Sequence, residues 1–205
     1  MINIIIADDH AIVRKGLDLF LKFEDEVRLI AEAADGDELL QVLSRMTADV
    51  VLLDIDMPKM NGITVLRTMQ EEYPTIKVVI LSMHREEIYG PTVRKLGAVG
   101  YVTKDADPKE VVRAVKEVHA GRLFFREELY TVRTPLREKQ RKIKLSNRES
   151  EVLKLLSIGK SNKDISEELG ISDKTVSTYK QRLLNKLQAR NVVDLINFAK
   201  MYQFV

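Results

Sequence analysis

The apolar positions of the first 120 residues follow two alternating patterns. Ile2 to Ala7, Arg28 to Ala33, Val50 to Leu53, Lys77 to Leu81 and Ala98 to Val102 are short β-branched or aliphatic runs, the signature of strands. Ile12 to Phe23, Glu38 to Met46, Ile63 to Glu72, Glu86 to Leu96 and Pro108 to His119 carry their apolar residues at helical spacing. Val50 to Leu53 is apolar at every position, as in a strand covered on both faces of a parallel sheet. Pro108 suits the first turn of its helix, with Asp107 as the cap. The pattern predicts an α/β domain with a doubly wound, five-stranded parallel sheet and right-handed crossovers.

The pattern then changes. Leu123 to Leu145 has no sustained apolar period and holds Arg133, Pro135, Arg137, Lys139, Arg141, Lys142 and Lys144, so it reads as a linker with a short helix near Glu127. Beyond it lie four helices. The first is capped by Ser146 or Asn147, carries Val152, Leu155 and Leu156 on one face and ends at Gly159. Ser161 caps Asn162 to Leu169, which closes at Gly170; Ser172 caps Asp173 to Leu187; and Asn191 to Met201 is the last. The short Gly-containing turn from Leu169 to Ser172 is that of a helix-turn-helix. The expected organisation is a first domain over 1–120, a linker over 121–142 and a small all-α domain over 143–205.

Charge sharpens this division. The formal net charge of +2 on 205 residues conceals an acidic part, with 15 Lys+Arg against 21 Asp+Glu from Met1 to Ala120, and a basic part, with 18 against 10 from Gly121 to Val205. Their opposite signs, −6 and +8, suggest different partners, a polyanion for the second. Opposite fields would also favour docking of the first part over part of the second, from Lys174 to Asn185. There is no cysteine, which excludes disulfides and thiolate metal sites and fits a reducing cytoplasm. The amino terminus lacks a basic n-region and is expected to be a strand and not a signal peptide. No run approaches the roughly 18 apolar residues of a membrane helix, so no membrane association is expected.

Candidate chemistry gathers at the strand ends. Asp8 and Asp9 follow the first strand, Asp54 the third, Ser82 the fourth and Lys104 the fifth, all on the carboxyl edge where open α/β sheets bind ligands. Carboxylates brought close together raise each other's pKa unless a cation neutralises them, and an all-oxygen set suits a hard ion such as Mg2+. That ion and Lys104 would hold the oxygens of a phosphoryl group arriving at Asp54, with Ser82 donating a hydrogen bond. His10 is expected to cap or cover the first helix, and His84 to influence access of water.

On the helix from Asp173 to Leu187, Val176, Leu183, Leu184 and Leu187 form the buried stripe with Tyr179 at its border. Lys174, Ser177, Thr178, Gln181, Arg182 and Asn185 face outward. In a DNA major groove Gln181 would read an adenine edge and Thr178 a thymine methyl, while Lys174, Lys180 and Arg182 neutralise phosphate. Backbone donors from Ser172 to Thr175 would add phosphate contacts.

These residues carry a family resemblance. Asp8-Asp9, Asp54 to Pro58 with Gly62, Ser82, and Gly100 to Lys104 resemble the flavodoxin-like receiver domain of bacterial two-component response regulators over residues 1 to 120. Leu145 to Glu149, Gly159 to Ile165 and Lys174 to Leu187 resemble the LuxR-type DNA-binding domain over 143 to 205. The whole chain resembles a NarL/FixJ-type response regulator. The resemblance implies that Asp54 accepts phosphate from a sensor histidine kinase, and that Asp9, Asp54 and the backbone carbonyl of Asp56 ligate Mg2+ with Asp8 assisting. It implies that Ser82 and Tyr101 form a switch, in which the hydroxyl moves to the phosphoryl group and the aromatic ring turns inward behind it.

The same resemblance makes the last helix the dimer contact, with Val192, Val193, Leu195 and Ile196 supplying apolar side chains for it or for the domain core. Asn162, Lys163 and Thr175 join the outward residues of the preceding helix as DNA contacts. The implied protein is a cytoplasmic, phosphorylation-controlled transcriptional regulator that binds promoter DNA as a homodimer, with RNA polymerase a further partner. It is no enzyme beyond Mg2+-dependent self-phosphorylation from small phosphodonors and autodephosphorylation. Asp105 departs from the pattern, since many receivers have proline after the lysine. Two other classes fit part of the chain. Asp54-Ile55-Asp56 matches the nucleophile pair of aspartyl-phosphate phosphatases, although there the pair follows the first strand. A constitutive DNA-binding protein with a scaffold-only first domain would leave the acids, Ser82 and Lys104 without use.

Overall fold

The computed structural model describes residues 1–131, 145–187, 189 and 191–201, and the chain divides into two compact units, Met1–Val132 and Arg133–Val205. The first unit alternates β1 (Ile2–Ala7), α1 (Ala11–Leu21), β2 (Val27–Ala33), α2 (Gly36–Leu43), β3 (Val50–Leu53), α3 (Gly62–Glu72), β4 (Lys77–Ser82), α4 (Glu86–Lys95), β5 (Gly100–Thr103) and α5 (Pro108–His119). The five strands are all parallel in the order β2-β1-β3-β4-β5. This is the expected doubly wound sheet. Strand order reverses between β1 and β3, so the ends of those two strands flank a crevice at the carboxyl edge.

Strand alternation divides the core into two layers. Ile4, Ile6, Val50, Leu52, Val79 and Leu81 face the layer that also holds Leu17 and Leu21 of α1 and Val111, Val115 and Val118 of α5. The intervening Ile5, Val51, Leu53, Val78 and Ile80 are as deeply buried, as are Leu39, Val65, Leu66, Met69 and Val93 of α2, α3 and α4. All four residues of β3 are fully buried. Burying a Val or Leu side chain contributes roughly 1.5–3 kcal/mol, so the strand that ends at Asp54 is the best anchored place from which to present a reactive group.

The first unit extends past α5. Phe124 bridges Gly100 in parallel, with Phe124 N–H donating to Val99 O and Tyr101 N–H donating to Phe124 O. A short helix, α6 (Glu128–Thr131), follows. Residues 124–131 of the expected linker therefore belong to the first unit, and 132–142 lie outside the described residues.

The second unit contains α7 (Asn147–Ser157), α8 (Asn162–Leu169), α9 (Asp173–Leu187) and α10 (Val192–Met201). Ser146 caps α7 and Ser161 caps α8, each in a reciprocal capping box, with Glu149 and Asp164 respectively. Gly170 ends α8 at φ 63°, a left-handed conformation that glycine adopts without strain. α9 packs on α7 and α8, and α10 on α7 and α9. Glu149 is almost fully buried and accepts from Lys186 Nζ at 2.7 Å, so one ion pair joins α7 to α9. No helix among the described residues is long and apolar enough to cross a membrane.

Candidate functional site

β1, β3 and β5 bring three charged residues into contact that are distant in sequence. Asp8 leaves β1 with its N–H donating to Ala33 O, and Asp54 leaves β3 with its N–H donating to Ala7 O at 2.8 Å. Lys104 leaves β5 with its N–H donating to Ser82 O. Its Nζ donates to Asp54 Oδ2 at 2.6 Å and lies 2.7 Å from Asp8 Oδ2. The three side chains are 3% exposed or less. Asp54 Oδ1 accepts from Asp56 N–H at 3.2 Å.

Burial pushes the Asp54 carboxyl up to about 6, against the pull of Lys104 in the opposite direction. Burial would lower the Lys104 ammonium, but Asp54 and Asp8 more than offset it and hold the group above its usual value. Each partner therefore makes the other's charge tolerable in the sheet edge. Gly62 closes the loop behind Asp54. A Cβ built there would lie 2.0 Å from Asp54 O, so the loop from Ile55 to Asn61 returns this closely only with glycine.

Asp8, Asp9, His10 and Asp54 each offer a ligand atom, all within 4.8 Å of one another. Three of the four are carboxylates, a donor set that fits a hard divalent cation. His10 departs from expectation. It stands at the cap position of α1 but makes no cap hydrogen bond; its Nδ1 is 2.6 Å from Asp9 Oδ1 and 3.2 Å from Asp8 Oδ1. Arg14, one turn further along α1, donates from Nη1 to the Asp8 carbonyl and from Nε to Glu32. Sequence reasoning missed Arg14, although its i, i+4 spacing from His10 marks the same helix face.

The Ser82 and Tyr101 positions are also built. Ser82 is fully buried and its Oγ accepts from His84 N–H at 3.1 Å. Tyr101 lies inward, 3% exposed, and its hydroxyl donates to the His84 carbonyl at 3.0 Å. Burial raises the Tyr101 phenol well above its ordinary range, so it remains a donor. The His84 ring stacks on Tyr89 at 4.4 Å and its Nε2 lies 2.6 Å from Asp56 Oδ2. The Lys104–Asp105 peptide bond is trans.

In the second unit, α9 buries Val176, Leu183 and Leu187, while Leu184 and Tyr179 are half-buried. Lys174, Ser177, Thr178, Gln181, Arg182 and Asn185 are exposed on one face. Asn162 at the start of α8 organises that face: its Nδ2 donates to Ser177 Oγ at 3.2 Å and its Oδ1 accepts from Lys180 Nζ at 2.9 Å. Lys180 is thus half-buried and tied to α8, unlike the freer Lys174. Thr178 Oγ1 donates back to the Lys174 carbonyl, and Gln181 Nε2 donates to Asn185 Oδ1 at 3.3 Å. Lys163 and Ser172 are exposed, and Ser172 Oγ accepts from Thr175 N–H. In α10, Val193 is exposed and Val192 and Ile196 are half-buried, whereas Leu195 is fully buried in its own unit.

A doubly wound sheet with this acid–lysine edge, joined to a helix-turn-helix with a basic polar face, defines a response regulator. Residues 4–116 match the response regulator receiver domain, and residues 143–199 match the luxR family of bacterial regulatory proteins. The chain belongs to the NarL/FixJ-type response regulators, a family of phosphorylation-controlled DNA-binding transcription regulators and not of enzymes. Among its relatives, the oxygen regulatory protein NreC of Staphylococcus haemolyticus is 35% identical, the match covering 96% of each chain. The DNA-binding transcriptional activator EvgA of Escherichia coli is 33% identical over 97% of each. The structure of RcsB from Salmonella enterica serovar Typhimurium bound to promoter rprA with phosphomimetic BeF3− has a TM-score of 0.68 and 30% identity, covering 98% of this chain and 100% of that one. Another RcsB structure, of two dimers bound to two parallel DNAs, matches equally well.

Proposed function

We propose that Asp54 is the phosphoacceptor and that a sensor histidine kinase is its donor. The observation that supports this best is the pairing of a 1%-exposed Asp54 side chain with Lys104 at the sheet edge, beside Asp8. A carboxylate so placed has one oxygen held by Lys104 and the other by Asp56 N–H, which fixes its orientation for attack on phosphorus. Lys104 then follows the charge to the phosphoryl oxygens, and Ser82 donates to them from β4. Tyr101 occupies the inward position behind Ser82. Asp8, Asp9 and Asp54, with the Asp56 carbonyl, would hold Mg2+, which when bound neutralises charge developing on the transferred group. Self-phosphorylation from small phosphodonors and autodephosphorylation belong to the same site.

The output is promoter binding by the second unit as a homodimer. α9 enters the major groove, with Gln181 and Thr178 reading base edges. Lys174, Lys180, Arg182, Lys163, Asn162, Ser172, Thr175 and Ser177 engage the backbone or hold that face. The RcsB complexes with DNA support this reading, and Val192, Val193 and Ile196 on α10 are the proposed dimer contact. A protein that serves chromosomal promoters works in the cytoplasm, and RNA polymerase is a further partner.

Intact-mass analysis after incubation with acetyl phosphate and Mg2+ tests the phosphoacceptor. One phosphoryl adduct is expected on the wild type, and none on Asp54→Asn or with excess EDTA. A normal yield on Asp54→Asn would overturn the assignment.

A further inference from the structure

We infer that residues 124–131 form a clasp on α4 and β5 through which the state of Tyr101 reaches the segment leading to the DNA-binding unit. The inference rests on the reading that Asp54 phosphorylation controls DNA binding.

The clasp is a built contact. Glu86, at the start of α4, is 4% exposed, and its Oε1 accepts from Arg126 N–H at 2.8 Å and from the Tyr130 hydroxyl at 3.1 Å. A buried carboxylate needs such donors, and without them the group would be left desolvated and unpaired. Gly90, one turn along α4, makes room for the phenol. A Cβ built there would lie 2.3 Å from Tyr130 Oη and 2.8 Å from Glu86 Cγ, but 3.6 Å from Tyr130 Cζ. Arg94, a further turn along, has its guanidinium 4.4 Å from the Tyr130 ring centre and 5.4 Å from that of Phe125. Three successive turns of α4 thus each supply one element of the dock.

The same segment touches the switch. Tyr101 N–H donates to Phe124 O, and a cavity of about 170 Å³ beside Tyr101 is walled by Glu86, Arg113 and Leu123 to Arg126. With its ring inward and its hydroxyl on the His84 carbonyl, Tyr101 leaves that cavity open and the clasp fastened. A ring leaving this position enters the cavity and meets Phe124, Phe125 and Arg126. Tyr101 inward and the clasp closed are therefore one state, and Tyr101 outward loosens the clasp. Glu86 and Tyr130 are positioning residues in this coupling. Pro91 lies inside α4, where it cannot donate the usual helical hydrogen bond, so the dock sits on a helix with one bond fewer to resist a shift.

The test uses full-length wild type, Tyr130→Phe and Gly90→Ala, each with acetyl phosphate and Mg2+. The probe is a duplex selected from a randomised pool by the phosphorylated wild type. Neither residue touches the phosphoacceptor site, and alanine is the better helix former at position 90, so equal phosphoryl yield by mass is expected for all three. Wild-type affinity for the duplex should rise on phosphorylation by roughly tenfold, within the range usual for coupled sites. Both variants should gain less than about twofold, and their 124–131 amides should exchange several-fold faster than wild type. Variants that are phosphorylated and gain as much as wild type would refute the clasp while leaving the function intact. A wild type that is phosphorylated and gains nothing would overturn both.

Discussion

The two units use charge in opposite ways. In the first, the side chains of Asp8 and Asp54 are buried and both held by Lys104, in a pre-organised, water-poor sheet edge. In the second, Lys174, Gln181 and Arg182 stand in solvent on the outer face of α9. A group that stabilises a developing charge gains from low dielectric and fixed dipoles, whereas one that reads a base edge must stay reachable until the groove arrives. Lys180 lies between these extremes, half-buried and tethered to Asn162 at one edge of that face.

Two glycines sharpen the contrast. Gly62 and Gly170 each end or begin an element, but the first is required by space and the second by backbone angle. Gly62→Ala places a methyl 2.0 Å from Asp54 O, and the first unit should lose about 3 kcal/mol with a matching loss of phosphorylation. Gly170→Ala meets no atom within 4 Å at φ 63°, so the second unit should lose about 1 kcal/mol from strain alone. Chemical denaturation of the full chain, followed by a probe in each unit, checks both values. Equal losses would break the distinction between a crowded site and an open one.

For the DNA face the effects are graded by exposure. Gln181→Ala should cost about 1–3 kcal/mol at one base position and little elsewhere, because a base contact carries sequence information. Lys180→Ala should weaken binding to all sequences alike and lower the salt slope by about 1, with some loss of α8–α9 order because Asn162 keeps only Ser177 of its two partners on α9. Titration against single-base variants of a selected site at two salt concentrations separates the two. If Lys180→Ala changes base preference instead, the lysine reads sequence and the assignment of the face is wrong.

Much of the first unit was legible because its signals are local. β1, β3 and α5 have the bounds that their apolar runs imply, as do α8 and α9 in the second unit. The strand-end residues followed from topology once the strands were placed. What escaped is what depends on direction or on distant backbone. The apolar spacing places the second helix from Glu38, yet Asp35 accepts from Glu38 N–H and caps α2, which therefore begins at Gly36. α1 ends at Leu21 because the chain beyond it turns outward and leaves Phe23 83% exposed. The turn of the His10 ring toward Asp9, and the approach of Arg14 to the Asp8 carbonyl, depend on where α1 starts relative to the end of β1. The pairing of Phe124 with β5 leaves no periodic trace, since one bridged residue has no period. Glu86 reads as an ordinary acidic helix start until Arg126 and Tyr130 are seen to cover it.

A phosphoryl group on Asp54 is proposed to control how tightly the second unit holds DNA. The direct measurement is the affinity of full-length wild type and Asp54→Asn for one selected duplex, with and without acetyl phosphate and Mg2+ at equal salt. Tightening of roughly tenfold is predicted for wild type and none for Asp54→Asn. Equal tightening of both proteins, or of neither when the wild type carries the adduct, would contradict the account.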